Sequence, residues 1–134
     1  MSESEVRELR VALTVDDFEG ALTFYRDALG LQQLEAWEAP GARGVLLEAG
    51  RATLELFDAG QAMLVDQIEV GRRVAGPVRL ALEVDDSKAV ADRLVGAGAE
   101  PLAELVVTPW GDRNVRVQAP DGMQLTLFTP DQGV

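Results

Sequence analysis

The sequence predicts an α+β fold built from two βαβββ modules. Two observations support this expectation: an internal repeat, and the same order of strand-like and helix-like segments in each half of the chain. The 134 residues, 47% of them hydrophobic, are enough for one domain with a substantial core, and a disordered chain is excluded.

The repeat begins with RVALTVDD at Arg10–Asp17, which recurs as RLALEVDD at Arg79–Asp86 with six identical positions. LELF at Leu54–Phe57 recurs as LTLF at Leu125–Phe128, again about 70 residues later and in the same order. We therefore expect one structural domain with a first module at 5–58 and a second at 76–130. The linker at 59–75 has apolar residues compatible with one short helix.

In the first half, residues 9–15 alternate between polar and apolar and predict a strand. Asp16 or Asp17 then caps a helix that ends at Gly30, a residue suited to a left-handed helix end. The helix carries apolar residues at helical spacing: Phe18, Ala21, Leu22, Tyr25 and Leu29. Three strands are predicted to follow, at 31–37, 43–49 and 51–58.

The second half repeats this order. A strand at 78–84 is followed by Asp85 or Asp86 as the helix cap, and the helix ends at Gly98. Its apolar stripe consists of Val90, Leu94 and Ala97. Strands are predicted near 101–107, 112–118 and 123–129, with the last hairpin turn at Pro120–Gly122.

Charge and two absent residue types restrict the chemistry. There are 12 Lys and Arg against 23 Asp and Glu, and the net charge of −11 argues against nucleic-acid or membrane partners. The chain has no Cys and no His, which excludes thiolate nucleophiles and imidazole bases and leaves only oxygen ligands for a metal. The start, MSESEVRELR, lacks the apolar segment of a signal peptide, so a cytoplasmic location is expected.

Two segments resemble the vicinal oxygen chelate superfamily of glyoxalase I, bleomycin-resistance proteins and extradiol dioxygenases. They are VALTVDDFEGALTFYRDALGL at 11–31, with its Phe-Tyr pair and Leu-Gly, and TPWGDRNVRVQAPDGMQLTLF at 108–128, with its Trp-Gly and Pro-Asp-Gly. The resemblance implies a cup of curved mixed sheets with helices on the outside, and packing roles for Phe24 and Tyr25. It does not imply a reaction, because the superfamily hosts many.

Period-two alternation assigns the strand residues of such a cup to two faces. The face toward the helices is apolar: Val11, Leu13, Val15, Leu54, Leu56, Leu80, Leu82, Val84, Leu125 and Leu127. The inner face is mixed: Arg10, Ala12, Thr14, Thr53, Glu55, Phe57, Arg79, Ala81, Glu83, Gln124, Thr126 and Phe128. A mixed inner face is typical of a ligand cavity.

The resemblance also implies four inward positions that hold the metal in metal-dependent members. Here they are Arg10, Glu55, Arg79 and Thr126, and a guanidinium carries only donors and repels a cation. We therefore expect no metal, no other cofactor and no metal-dependent catalysis. The Arg10–Glu55–Arg79 cluster is either a structural salt bridge or leaves one guanidinium free for a ligand carboxylate, carbonyl or phosphate.

Four aromatic residues are further candidates for ligand contacts. Trp37 and Trp110 are expected near the rim, where they stack on a planar ligand. Alternatively, Trp110 packs structurally and Trp37 covers a dimer contact. Phe57 and Phe128 are repeat equivalents on the inner face, and lining a pocket is favoured over a core role for both.

Three functions fit these residues. The first is metal-independent binding of a planar or cationic natural product such as an antibiotic, as in bleomycin-resistance proteins, with contacts from Arg10, Trp37, Glu55, Phe57, Arg79, Trp110, Thr126 and Phe128. The second is a metal-free lyase or isomerase in which Glu55 or Glu83 abstracts a proton and an arginine stabilises the resulting charge. The third is an accessory dimer without a cavity. A homodimer is expected because the edges of curved sheets are exposed.

Overall fold

A curved, unclosed mixed sheet and three helices make up the protein in a computed structural model that describes residues 5–131. The strands are β1 (Glu8–Thr14), β2 (Gln33–Ala39), β3 (Ala42–Ala49), β4 (Ala52–Phe57), β5 (Val78–Glu83), β6 (Glu100–Pro101), β7 (Val106–Val107), β8 (Arg113–Gln118) and β9 (Gln124–Thr129). The helices are α1 (Phe18–Ala21, continued by a π-helical segment at Leu22–Ala28), α2 (Ala59–Glu69) and α3 (Ser87–Gly96). The α+β fold class is confirmed. Part of the start considered for a signal peptide, residues 1–4, lies outside the described residues.

One sheet runs through both halves of the chain. Its strand order is β2-β3-β4-β1-β5-β9-β8-β6, and β7 also pairs with β8. In each half the first strand pairs parallel with the last, β1 with β4 and β5 with β9. The halves join through antiparallel pairing of β1 with β5, where Val11 lies opposite Leu80. The strand pairing therefore repeats with the sequence repeat.

Two aspartates cap the equivalent helices. The Asp17 carboxylate accepts from the Gly20 amide at 2.9 Å, and the Asp86 carboxylate accepts from the Ala89 amide at 3.1 Å. In each Asp-Asp pair the second residue is the cap, because it directly precedes the first helical residue and its carboxylate reaches the amide three positions on. Gly30 and Gly98 have φ of 85° and 114°, so both predicted helix ends use the left-handed conformation.

The helices α1 and α3 cover the convex face of the sheet. Around α1 the core consists of Phe18, Ala21, Leu22, Val45, Leu47 and Leu56, and around α3 of Val84, Ala91, Val115, Val117 and Leu127. Of the ten residues predicted for the apolar face, all but Val11 and Leu80 lie in or against these two clusters. The helix α2 lies instead on the inner face, where Ala62 and Val65 pack against Ala12 and Phe57. None of the described helices has the length and apolar character to cross a membrane.

Two local predictions are wrong. Phe24, expected to pack, is 61% exposed, and so is Leu29, whereas Tyr25 does pack against the core. The segment is π-helical, with the Leu29 amide donating to the Phe24 carbonyl, so residues at α-helical spacing no longer share one face. The strand predicted at 101–107 is split into β6 and β7, and between them the Leu102 amide still donates to the Arg116 carbonyl at 3.1 Å.

Candidate functional site

A cavity of about 350 Å³ lies on the inner face of the sheet. Both halves of the chain and α2 contribute to its wall. All eight residues expected to contact a ligand line it: Arg10, Trp37, Glu55, Phe57, Arg79, Trp110, Thr126 and Phe128. Glu83, the alternative base, is not among its lining residues. Whether the eight residues bind a ligand stays a prediction.

The helix α2 is fixed inside the cup by Arg116, whose exposed fraction is 0%. The guanidinium donates to Asp66 at 2.9 Å and to Glu69 at 2.9 and 3.1 Å. Burial disfavours the charge on Asp66, but the amides of Ala75 and Val74 and the Arg116 guanidinium outweigh burial and lower the pKa of Asp66. One ion-pair network thus ties the linker helix to β8.

Arg10 is paired with carboxylates. It donates to both oxygens of Glu8 at 3.0 and 3.3 Å, and its Nη1 lies 3.9 Å from Oε2 of Glu55. Glu8 itself accepts from the Thr53 hydroxyl at 2.6 Å. The guanidinium also lies over the Phe128 ring, 4.9 Å from its centroid. Arg10 is therefore held between a carboxylate and an aromatic ring.

Arg79 has no such partner. It is 6% exposed and makes one hydrogen bond, from Nη1 to the Thr126 hydroxyl at 2.9 Å. Within the part of the chain that the structure describes, no carboxylate oxygen lies within 4.0 Å of its nitrogens. The same hydroxyl accepts from Arg116 at 3.1 Å and donates to Glu69 at 2.8 Å, so Arg79 is attached to the network that holds α2.

Glu55 is a buried carboxyl group at the cavity wall, 7% exposed. Its ion pair with Arg10 is long, and no donor of residues 5–131 makes a hydrogen bond to it. Burial raises the pKa of Glu55, and the positive charges of Arg79 and Arg10 oppose this only in part. The Glu55 carboxyl group therefore releases its proton less readily than an exposed one, and it has acceptor capacity left for another molecule.

The predicted Arg10–Glu55–Arg79 cluster thus forms unevenly. Arg10 makes the structural pair with Glu8 and approaches Glu55, whereas Arg79 is outside ion-pair distance of any described carboxylate. Arg10 is thus part of a structural salt bridge, and whether the Arg79 guanidinium binds a ligand stays a prediction.

Aromatic rings form much of the remaining wall. Trp37 and Phe57 meet edge to face, with centroids 6.4 Å apart and planes at 79°. Trp110 is 51% exposed, and its indole nitrogen donates to Asp112 at 3.1 Å. Burial raises the pKa of Asp112, although the bond from Trp110 opposes this shift. The rings offer flat apolar surface beside the charged groups.

Several wall residues were not singled out from the sequence: Glu35, Gln61, Val65, Glu69, Asp112, Asn114 and Pro130. For Asn114 a signal existed, because polar residues alternate with Val115 and Val117 along β8 and therefore face inward. Nothing in the sequence signals that α2 enters the cup with Gln61 and Glu69.

The four family metal positions do not fit a divalent cation. Arg10 and Arg79 are cationic, and the Thr126 hydroxyl is already bonded to Arg79, Arg116 and Glu69. Glu55 is the one carboxylate of the four. Among the described side chains, no group of three or more acidic residues is arranged to hold a metal ion.

The comparisons with known proteins agree with this fold. The family model of the Glyoxalase/Bleomycin resistance protein/Dioxygenase superfamily matches residues 9–127, so the chain belongs to that superfamily. The expected resemblance is confirmed. No curated protein matches the chain.

Solved structures of the same fold include two epimerases. Methylmalonyl-CoA epimerase from Mycobacterium tuberculosis is 23% identical, with a TM-score of 0.67 over 97% of this chain and 92% of that one. A Streptomyces coelicolor methylmalonyl-CoA epimerase is 20% identical, with a TM-score of 0.68 over 95% and 99%. A superfamily member from Vibrio splendidus is 17% identical, with a TM-score of 0.64 over 91% and 97%. At these identities the similarity shows the fold alone.

Proposed function

We propose that this protein binds a planar small organic molecule in its cup without a metal ion. The observation that carries the proposal is the cavity itself: about 350 Å³ within one chain, lined by four aromatic rings and by the charged groups Glu55 and Arg79. This volume and this mixture of apolar wall and few polar groups are typical of small-molecule sites. Affinity would come from burial of the ligand ring and from directed hydrogen bonds.

The charge of the wall favours a ligand that also carries a positive group. Two arginines and four carboxylates line the cavity: Arg10, Arg79, Glu35, Glu55, Glu69 and Asp112. The whole chain carries a net charge of −11, which attracts cations at low ionic strength. A natural product with a flat ring system and an amine, such as an antibiotic, has this chemistry.

Binding is tested by titrating the protein with bleomycin and a panel of polycyclic aromatic amines while following tryptophan fluorescence. The chain has two tryptophans, Trp37 and Trp110, and both line the cavity, so an occupied cavity is expected to change the emission. The response should persist in EDTA and weaken in Phe57→Ala relative to Phe24→Ala, a matched change at an exposed ring. No response to any compound contradicts the proposal.

A metal-free isomerase is the second candidate, supported by the raised pKa of the Glu55 carboxyl near Arg79. In this reaction the Glu55 carboxylate takes a proton from the carbon beside a carbonyl group. The electron pair of the broken C–H bond moves to the carbonyl oxygen, and Arg79 stabilises the enolate. The proton then returns to another face or carbon. Two structural neighbours at low identity are epimerases.

The two candidates differ in what happens to the bound compound. A binding protein returns it unchanged, and incubation in D₂O adds no deuterium to its carbon atoms. An isomerase exchanges the proton beside the carbonyl group, and Glu55→Gln abolishes the exchange. Mass spectrometry of the recovered compound therefore distinguishes them.

A further inference from the structure

The interior of the cup contains three arginines that differ in how fully they are paired. Arg116 bonds to the carboxylates of Asp66 and Glu69, and Arg10 bonds to Glu8. Arg79 is 6% exposed, and its one side-chain hydrogen bond goes to the neutral hydroxyl of Thr126. A guanidinium has five N–H donors, and leaving a buried charge without a counter-charge is costly. Of these three arginines, Arg79 is thus the one with no carboxylate of residues 5–131 at ion-pair distance.

The position of Arg79 is nevertheless well defined. Thr126 holds its Nη1, and the Thr126 hydroxyl is itself fixed by Glu69 and Arg116. The guanidinium carbon lies 5.9 Å from the centroid of the Phe57 ring. A side chain fixed in this way is ready to bind a ligand without further loss of rotamer freedom.

The space beside Arg79 is bordered by Glu55. Both residues line the cavity. They do not form an ion pair, since the guanidinium nitrogens of Arg79 are more than 4.0 Å from the carboxylate oxygens of Glu55. The two charges still attract each other across this space, because the positive charge of Arg79 lowers the pKa of Glu55 more than any other charged group does. Each also has hydrogen-bonding capacity that no described residue uses.

We infer that Arg79, and not Arg10, binds a carbonyl or carboxylate oxygen of the ligand, and that this oxygen lies between Arg79 and Glu55. The inference rests on the proposed binding of a small molecule in this cavity. A carboxylate would receive charge-assisted hydrogen bonds from the remaining N–H groups of Arg79. A Glu55 carboxyl that holds its proton donates to the same oxygen, so both neighbours stabilise it. The ligand class is therefore an aromatic compound with a carbonyl or carboxylate group at its inner end.

The experiment compares three probes with the same ring: 2-naphthoate, 2-naphthamide and 2-naphthylmethylammonium. Their affinities for the full chain are measured by calorimetry at physiological ionic strength, where long-range charge effects are screened. In Arg79→Gln, the affinity for 2-naphthoate relative to that for the ammonium probe should fall at least about tenfold, which is about 1.4 kcal/mol. Arg79→Lys, which keeps the charge but not the fork of donors, should lose less.

Arg51→Gln is the matched control, because Arg51 is exposed on a turn and the variant changes the net charge equally. It should leave the ratio of affinities unchanged. If the probes bind but Arg79→Gln and Arg79→Lys both keep the wild-type ratio, the assignment of Arg79 is wrong while ligand binding stands. If none of the three probes binds the wild-type chain, the proposed function itself fails. Thermal melts of each variant establish that it is folded.

Discussion

Replacement of Arg116 by Met tests whether the buried ion-pair network holds the linker helix inside the cup. Arg116 is completely buried, and its guanidinium makes two bonds to Glu69 and one each to Asp66, Gln124 and Thr126. Methionine fills a similar volume but removes every one of these donors. Glu69 and Asp66 would then be left in the interior without the positive charge between them.

The expected loss of stability follows from this arrangement. Removing one partner of a buried ion pair costs about 3–5 kcal/mol, because the other charge stays buried and uncompensated. With about 2.1 cal/mol/K of unfolding entropy per residue over 134 residues, such a loss lowers Tm by roughly 11–18 °C. Arg73 also pairs with Asp66 at 2.9 Å, so the uncompensated charge is mainly that of Glu69.

The measurement is thermal unfolding of Arg116→Met and of Arg113→Met, followed by circular dichroism. Arg113 lies on the same strand but is exposed, so its replacement should change Tm by little. The double variant Arg116→Met/Glu69→Gln should recover part of the loss, since the unpaired carboxylate is gone. A decrease of less than about 3 °C in Arg116→Met would refute the reasoning.

Two further predictions concern Glu55 and the start of α2. The pKa of Glu55 is raised in the folded chain, so the stabilisation from its protonated form is present below the unfolded pKa of 4.5 and is lost as pH rises through the folded pKa. Urea unfolding from pH 4 to 8 should therefore show Glu55→Gln gaining stability relative to wild type as pH increases, and the opposite trend would contradict the assignment. At Gly60 an added Cβ would clash with the Gly41 carbonyl oxygen, whereas at Gly96 it would meet nothing within 4 Å. Gly60→Ala should therefore lower Tm strongly, and Gly96→Ala should leave it unchanged or add up to about 1 kcal/mol of stability.

The repeated architecture could be predicted because its signals are local. Alternation along β1, β4, β5 and β9 fixes which side chains face inward, and it accounts for six of the eight candidate residues on the cavity wall. The other two, Trp37 on β2 and Trp110 in the loop before β8, were expected near the rim because of their places beside turns. Helix caps and glycine ends depend on a few neighbouring residues, and Asp17, Asp86, Gly30 and Gly98 act as expected.

The placement of α2 could not be predicted, because it depends on contacts far apart in the sequence. Its buried face contains Asp66 and Glu69, which a sequence pattern assigns to solvent. These carboxylates can be buried because the Arg116 guanidinium, about 50 residues later in the sequence, donates to both of them. The exposure of Phe24 was missed for a different reason, since the spacing of apolar residues does not separate a π-helical turn from an α-helical one.

The asymmetry between the two halves accounts for the unpaired arginine. Arg10 and Arg79 are repeat equivalents, but the residue two positions before Arg10 is Glu8, whereas the residue two positions before Arg79 is Pro77. The first half therefore supplies its own carboxylate, and the second half does not.

The inward positions of the last strands differ in the same sense, since Glu55 of the first half corresponds to Thr126 of the second. Had the repeat stayed symmetric, both arginines would be neutralised by carboxylates, and the cavity would contain no unpaired positive charge. Instead, the first half places the Glu55 carboxyl group at the cavity wall, and the second half places the Arg79 guanidinium there with N–H groups that no described residue accepts from. A cavity with an unpaired guanidinium beside a carboxyl group favours a ligand with an oxygen acceptor on the part that lies between Arg79 and Glu55. The affinities of the Arg79 variants for the three probes therefore decide whether this explanation is correct.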